Sequence, residues 1–202
     1  MAYIKKLVMH GFKSFAQKTE IIFDKGINIF VGPNGGGKCL TGDSLVQLAD
    51  GSLERIDSLV NSRLDRAAKT EDGFISPGDG TEVISMDFDT LKIVKRPVKA
   101  FIKRTSPEKI LRIKTRSGRE IKSTKYHPFF ILKDGKVAAA KAEELKEGVR
   151  IAVPRIINFE PKDIFWDELA EIEEVQGEEW VYDLTVEKDH NFIANNIFAH
   201  NS

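Results

Sequence analysis

The chain has 202 residues, 41% hydrophobic and 31% charged, which is enough apolar material for one sizeable core or one domain with an appendage. Basic and acidic residues number 31 each, so the global charge gives no indication of a nucleic-acid or membrane partner. The single cysteine excludes an internal disulfide, and the lack of a long apolar run or charged leader predicts a soluble cytoplasmic protein.

The first elements in chain order are strands. Residues 3–9 and 19–23 have the composition of β-strands, and the uniformly apolar run 27–31 is typical of a buried strand. A glycine-rich loop, 32–37, follows at once. This order, a buried strand followed by a glycine loop, is the context in which phosphate-binding loops occur.

After Lys38 the sequence predicts an all-β domain. Turn dipeptides such as Asp50-Gly51 and Asp134-Gly135 separate short β-like runs. These runs are 44–48, 81–86, 109–115, 129–132, 149–153 and 180–186. Short helices are predicted at 53–60 and 138–145, a polar mobile loop at 61–80, and an acidic connector with a marginal helix at 155–174.

Charge is unevenly distributed along this domain. Residues 92–125 contain 13 basic and two acidic residues, whereas residues 160–189 contain 12 acidic and two basic ones. The two stretches either face each other or form separate solvated strand faces. The many charged residues and few glutamines also favour a thermophilic source.

The glycine loop is an interrupted phosphate-binding motif. Residues 32–38 fit the pattern G-x-x-x-x-G-K, in which Gly32, Asn34, Gly35 and Gly37 supply backbone amides and Lys38 reaches the outer phosphates. The next position should carry a hydroxyl that ligates Mg²⁺, but it is Cys39. Joining Lys38 to Ser202 would restore the motif. The alternative is an ordinary flexible glycine turn.

The N-terminal segment resembles the start of a structural maintenance of chromosomes (SMC) ATPase head. The resemblance rests on residues 3–15, 19–23 and the run Gly32-Pro33-Asn34-Gly35. It implies a short β-strand segment from an ABC-type ATPase head, and a host that binds ATP and Mg²⁺, dimerises and associates with DNA. The coiled coil, signature motif and catalytic acidic residue of that family are absent from the sequence.

Three residues at the boundaries of the insertion have the chemistry needed to remove it. Cys39 can attack the preceding carbonyl to form a thioester, and Ser202 can take over the acyl group. Asn201 can cyclise onto its own carbonyl and release the chain. This chemistry needs no cofactor, metal or ATP, because a folded domain that holds these groups together supplies the effective concentration.

Residues 39–201 resemble an intein in order and at both ends. The opening block is Cys39-Leu-Thr-Gly-Asp-Ser-Leu-Val, and a second block is Thr124-Lys-Tyr-His127-Pro-Phe. The later blocks are Val181-Tyr-Asp183-Leu-Thr-Val with His190-Asn-Phe, and Ile197-Phe-Ala-His200-Asn201-Ser202. The resemblance implies a horseshoe-shaped all-β fold shared with hedgehog autoprocessing domains, and the short length implies a mini-intein without a homing endonuclease.

The resemblance also implies a role for each matched side chain. Thr124 would hold the geometry of the upstream peptide, and His127 would exchange a proton with the nitrogen of Cys39. Asp183 would assist Cys39 and move its proton, while His190 and His200 would polarise the carbonyl and protonate the leaving nitrogen at Asn201. The alternatives are an ordinary turn histidine at 127, 190 or 200, and a backbone-bonding carboxylate at 183.

The resulting prediction is an unspliced precursor. It contains a host fragment at 1–38, a splicing domain at 39–201 that acts once on its own chain, and the first downstream host residue at 202. It needs no partner and is expected to be a monomer without a membrane segment. The alternatives are a fragment of an ATP-binding SMC protein with an inactive insertion, a hedgehog-type autoprocessor, and a DNA-binding module using the basic stretch.

Overall fold

The computed structural model describes residues 6–9, 19–22, 37–87, 89–155 and 164–201. The chain divides into two compact units, 1–34 and 35–202. The first unit contains β1 (Lys6–Met9) and β2 (Thr19–Ile22), which pair antiparallel with Lys6 opposite Ile22. Two of the three predicted N-terminal strands are thus present. The third, at 27–31, lies outside the described residues.

The second unit is an extended antiparallel sheet. Its first half contains one α-helix among the described residues, α1 (Ile56–Asn61), and a 3₁₀ turn at Leu64–Arg66. The strands of this half are β3 (Leu40–Thr41), β4 (Leu45–Gln47), β5 (Leu53–Arg55), β6 (Ala68–Thr70), β7 (Gly73–Pro77), β8 (Glu82–Asp87), β9 (Lys92–Thr105) and β10 (Lys109–Thr115).

The second half adds eight strands and a 3₁₀ turn at Ala142–Glu144. The strands are β11 (Glu120–Ser123), β12 (Pro128–Lys133), β13 (Lys136–Lys141), β14 (Arg150–Pro154), β15 (Ile164–Gln176), β16 (Trp180–Val186), β17 (Asn191–Ala194) and β18 (Ile197–His200). The all-β prediction is confirmed.

Two long strands connect the parts of the sheet. The order is β5-β4-β17-β18-β12-β14-β15-β10-β11-β3-β16-β9-β7-β6, with β13 on β12 and β8 on β9. β15 pairs with β14 through its first residues and with β10 through the rest, and β9 pairs first with β8 and then with β16 and β7. One continuous core therefore lies beneath strands that are distant in sequence, including the fully buried Phe101, Phe129 and Phe192.

The predicted helix at 138–145 is wrong. β13 pairs with every residue of β12, and the connecting Asp134 and Gly135 both have positive φ, +50° and +73°. Such a turn matches the twist of a two-residue hairpin. Cross-strand pairing thereby overrides the helix propensity of the alanine run, and the helical turn is confined to Ala142–Glu144. The helix predicted at 53–60 is confirmed only from Ile56 onward.

The predicted mobile loop at 61–80 is also wrong. It contains the β6–β7 hairpin, which packs along β9. A side chain at Gly73 would come within 2.0 Å of the Lys103 carbonyl, and one at Gly78 within 2.1 Å of the Val98 carbonyl. These glycines permit close backbone approach, so they indicate packing rather than mobility.

The marginal helix predicted within 155–174 is replaced by β15. Residues 156–163 lie outside the described residues, and the strand begins at Ile164. Its acidic side chains face the basic side chains of β10: Arg112 contacts Glu171 and Glu173, and Lys109 contacts Glu174. The prediction that the basic and acidic stretches face each other is confirmed for these strands. Ion pairs across the strands thus stabilise an extended conformation that local pattern alone did not indicate.

Candidate functional site

Thr124 holds the backbone on both sides of the Lys38–Cys39 bond. β3 lies between β11 and β16, which buries Cys39 at its start. The Cys39 N–H donates to Thr124 Oγ1 at 3.0 Å, and the Thr124 N–H donates to the Cys39 carbonyl at 2.9 Å. The Thr124 hydroxyl also donates to the Gly37 carbonyl. The conformation of the upstream peptide is therefore fixed by one side chain 85 residues away.

The Cys39 thiol is neutral in this environment. Burial raises its pKa well above the ordinary value, and the negative charge of Asp183 raises it further. A buried thiol of this kind is a poor nucleophile until a base accepts its proton. The site must therefore supply proton transfer at the moment of attack.

His127 is a buried neutral imidazole beside the same bond. The pKa of His127 is lowered to about 3, chiefly by burial; the nearby His200 and Lys38 side chains contribute to the fall, and a contact with the Lys38 backbone opposes it in part. Neither ring nitrogen makes a hydrogen bond of standard geometry with a described residue. The ring packs 4.9 Å from that of Phe129. Its nitrogens are therefore available to exchange a proton.

Asp183 lies on β16, one residue beyond the pairing of Tyr182 with Leu40. Its side chain is fully buried and accepts the N–H of Leu184 at 2.9 Å. The negative charge of the carboxylate contributes to the raised pKa of the Cys39 thiol, after burial. The bond to the Leu184 amide agrees with the interpretation of Asp183 as a backbone-bonding carboxylate, and its assistance to Cys39 stays a prediction.

Asn201 is held by its backbone while its side chain is left without a partner. Its N–H donates to the His190 carbonyl at 2.9 Å, and its carbonyl lies 2.6 Å from Nδ1 of His200. The residue is fully buried, and both Oδ1 and Nδ2 lack a hydrogen-bond partner among the described residues. An unbonded amide next to a polarised carbonyl is the arrangement that cyclisation requires.

His200 is neutral near pH 7. Burial lowers its pKa, and the charges of Lys38 and His190 lower it further, against the opposing effect of the Asn201 backbone. A neutral imidazole with its proton on Nδ1 donates that hydrogen to the Asn201 carbonyl. The ring packs 5.3 Å from that of Phe130.

The structure places Thr124 against Cys39 at the upstream end of the insertion and His200 against Asn201 at the downstream end. Lys38 affects the pKa of both His127 and His200, so the two bonds share one electrostatic environment. His190 differs from the prediction in that its side chain is exposed and its hydrogen bond to Asn201 is made by its backbone. Ser202, Gly32, Asn34 and Gly35 lie outside the described residues.

Sequence reasoning assigned no role to Asn191, the residue after His190. Its fully buried side chain makes four hydrogen bonds, described below. The sequence feature that could have drawn attention to Asn191 was its place within the His190-Asn-Phe block. In the described parts of the chain, no three or more His, Cys, Asp or Glu side chains are grouped to hold a metal ion. None of the described helices is long and apolar enough to cross a membrane.

Comparison with known proteins gives a consistent result. The family model described as the intein splicing domain matches residues 46–201. The solved PabCDC21-1 intein is 38% identical, with a TM-score of 0.76 over 82% of this chain and 99% of that chain. A DnaB intein from Synechocystis sp. PCC 6803 is 31% identical, with a TM-score of 0.64 over 81% and 98% of the two chains.

Among curated proteins, the replication factor C small subunit of Thermococcus kodakarensis is 39% identical over 130 residues. The match covers 64% of this chain but only 14% of that relative. The replicative DNA helicase DnaB of Nostoc sp. is 42% identical over 67 residues, which are 33% of this chain and 8% of that protein.

This all-β domain buries a cysteine beside a threonine and an asparagine beside a histidine, which is the combination of fold and side chains typical of a self-processing domain. This chain belongs to the intein splicing domain family. The predicted intein fold is confirmed by the similarity to solved inteins.

Proposed function

We propose that residues 39–201 excise themselves and join Lys38 to Ser202. Cys39 Sγ attacks the Lys38 carbonyl, the amide nitrogen of Cys39 gains a proton, and a thioester replaces the amide. Ser202 Oγ then attacks the thioester and releases the Cys39 thiol, which leaves a branched ester. Asn201 Nδ2 attacks its own carbonyl, breaks the bond to Ser202 and becomes a succinimide. The freed Ser202 amine finally displaces its own ester oxygen to form an amide.

The observation that carries the proposal is the state of Asn201. Its side-chain amide is buried and has no hydrogen-bond partner in the described part of the chain, its carbonyl contacts His200, and its N–H is fixed by His190. A buried amide without partners costs free energy that a purely structural residue would not retain. Such a free-energy cost is expected if the Asn201 side-chain amide must remain free to attack its own main-chain carbonyl.

The upstream step needs a proton acceptor and a proton donor. His127 is neutral, and no hydrogen bond of standard geometry from a described residue holds its ring nitrogens, so it can take a proton from the Cys39 side and return it to the leaving nitrogen. Thr124 fixes the nitrogen of Cys39 and the carbonyl of Gly37, and thereby limits the geometries of the peptide between them. No cofactor or metal is required.

The host is proposed to be an SMC ATPase. The support is residues 1–38, which match the start of such a head, and Ser202, which completes the phosphate loop after excision. Gly32, Asn34, Gly35, Gly37 and Lys38 would then hold ATP phosphates, and Ser202 would ligate Mg²⁺. The spliced host would dimerise and associate with DNA. Matches that cover small fractions of differently named relatives are consistent with an insertion found in many hosts.

Intact-mass spectrometry of the purified chain tests excision. We expect the precursor mass to decline as two products appear, one of residues 39–201 and one of residues 1–38 joined to Ser202. The incubation should extend across pH and to high temperature. A mass that never changes from that of the precursor would contradict the proposal.

Two variants separate the steps. Asn201→Ala blocks release at the downstream bond but leaves the thioester accessible, so an added thiol should cleave after Lys38. Cys39→Ala should abolish that cleavage while downstream release continues. Thiol cleavage after Lys38 in the Cys39→Ala protein would show that the nucleophile is assigned wrongly.

A further inference from the structure

The side chain of Asn191 bridges two parts of the fold that no strand pairing joins. Its Oδ1 accepts the Met86 N–H at 2.7 Å and the Ser85 hydroxyl at 3.1 Å. Its Nδ2 donates to the Met86 carbonyl at 2.8 Å and to the Asp189 carbonyl at 2.8 Å. The amide therefore satisfies both main-chain groups of Met86 on β8 and ties them to the turn before β17.

That turn has an unfavourable backbone conformation. Lys188 and His190 have φ of +66° and +50°, a region that non-glycine residues rarely adopt. Such conformations persist only where surrounding contacts impose them. Two contacts do so at Asp189: its carbonyl accepts from Asn191, and its carboxylate pairs with Arg96, which also lies 3.8 Å from Asp87.

The turn determines where Asn201 lies. His190, which has a positive φ and follows the tethered Asp189, accepts the Asn201 N–H with its carbonyl at 2.9 Å. Asn191 itself is paired with His200 at the end of the β17–β18 hairpin. A shift of the turn would consequently move both the backbone anchor of Asn201 and the histidine that contacts its carbonyl.

We propose that Asn191 is a positioning residue for the release step at Asn201, acting through the strained 188–190 turn with the Arg96–Asp189 ion pair as its second support. The inference rests on the proposed function, because it presumes that Asn201 cyclises. The four hydrogen bonds of Asn191 go to Ser85, Met86 and Asp189, and none of them goes to Cys39 or to the described residues before it. Its loss should slow release without slowing thioester formation.

The test measures the two steps separately. Release is followed as loss of Ser202 by intact mass in the Cys39→Ala chain, and thioester formation as thiol cleavage after Lys38 in the Asn201→Ala chain. Asn191→Ala should slow release about 10- to 100-fold, the range expected for a small misplacement of reacting groups. It should leave thiol cleavage unchanged.

A control separates positioning from loss of stability. Ile113→Val removes one methylene from a fully buried side chain on β10 and should lower the melting temperature without favouring either step. If Asn191→Ala does not fold, Asp189→Asn keeps the side-chain shape, removes the charge that pairs with Arg96, and should slow release selectively.

The outcomes are distinct. Equal slowing of both steps by Asn191→Ala or Asp189→Asn, or release at the parental rate, would overturn the inference alone. A Cys39→Ala parent that never loses Ser202 would contradict the proposed function and this inference with it. Selective slowing of release in a folded variant supports both.

Discussion

The thiol of Cys39 and the imidazoles of His127 and His200 are all kept in their neutral forms, chiefly by burial. Removing water raises the pKa of an acid and lowers that of a base, so both kinds of group lose their charge. A neutral thiol does not react prematurely, and a neutral imidazole can accept its proton. Burial would thus restrain the proposed first step while retaining the groups proposed to perform it.

The low pKa of His127 predicts a pH-dependent stability. In the unfolded chain the imidazole binds a proton near pH 6.5, whereas in the fold it does so only near pH 3. Between these values the unfolded state holds more protons, so the free energy of unfolding falls as pH decreases, by at most about 1.4 kcal/mol per pH unit. The contribution of the neutral His127 to the free energy of unfolding is fully present above pH 6.5 and is lost as the pH falls toward 3.

Urea unfolding of a splicing-blocked Cys39→Ala, Asn201→Ala chain at pH 7 and pH 5 measures this dependence. Adding His127→Gln removes the titrating group and should make the fall with acid shallower. His200 is retained in both proteins and serves as an internal constant. If the free energy of unfolding falls with acid equally in the proteins with and without His127→Gln, His127 is not the group that causes the pH dependence.

The β10–β15 pair shows how charge stabilises an element that local pattern did not predict. Arg112 contacts three carboxylates, those of Glu120, Glu171 and Glu173, at 3.0, 3.2 and 2.6 Å. Glu174 contacts both Lys109 and Lys125, and these lysines lower its pKa to about 2. Lys125 follows Thr124, so the ion pairs of Glu174, which share no residue with those of Arg112, connect the strand pair to the segment that contains Thr124.

Substitution of Arg112 should reveal how much its three ion pairs contribute to stability. Arg112→Gln removes three ion pairs, whereas Arg116→Gln removes one pair, with Glu168, from a side chain that is 69% exposed. We expect Arg112→Gln to lower the melting temperature by a few degrees and Arg116→Gln to change it little.

The difference should narrow in high salt because screening weakens surface ion pairs. Melting curves of the splicing-blocked chain at low and high salt provide the measurement. An equal fall in melting temperature for Arg112→Gln and Arg116→Gln would show that the three ion pairs of Arg112 stabilise the fold no more than one exposed pair does.

At the scale of the whole molecule, the proposed function places the insertion inside a phosphate-binding loop of the host. A functional loop continues after its lysine into a helix whose N-terminal amides and hydroxyl complete the site. Here the residue after Lys38 is the buried Cys39, and strand β3 begins at Leu40. The helix end and the Mg²⁺ hydroxyl are therefore not available in this arrangement.

We expect the precursor not to bind Mg-ATP specifically, with binding appearing after excision. A lone lysine beside a glycine loop provides only a screened charge contact. Calorimetry on a full-length host precursor blocked by Cys39→Ala and Asn201→Ala is the test, with the spliced host as the positive control. Micromolar, Mg²⁺-dependent binding by the blocked precursor would show that the insertion does not silence the loop.

The sequence by itself determined which boundary residues to predict as reacting groups, because the proposed splicing chemistry requires particular side chains at particular ends. Cys39 and Asn201 are recognisable without coordinates, and so is the all-β class, since turn dipeptides and alternating patterns are local signals. The resemblance of the internal blocks then indicated Thr124, His127 and Asp183. Each of these lies at the site in the structure.

Only the tertiary structure decided the features that depend on partners distant in sequence. β13 and β15 are extended because β12 and β10 pair with them, which overrides local helix preference. The lowered pKa of His127 follows from burial by the whole fold, and the role proposed for Asn191 follows from its contact with Met86, 105 residues away. Local pattern reports backbone preference, whereas burial and long-range hydrogen bonds exist only once the sheet has assembled.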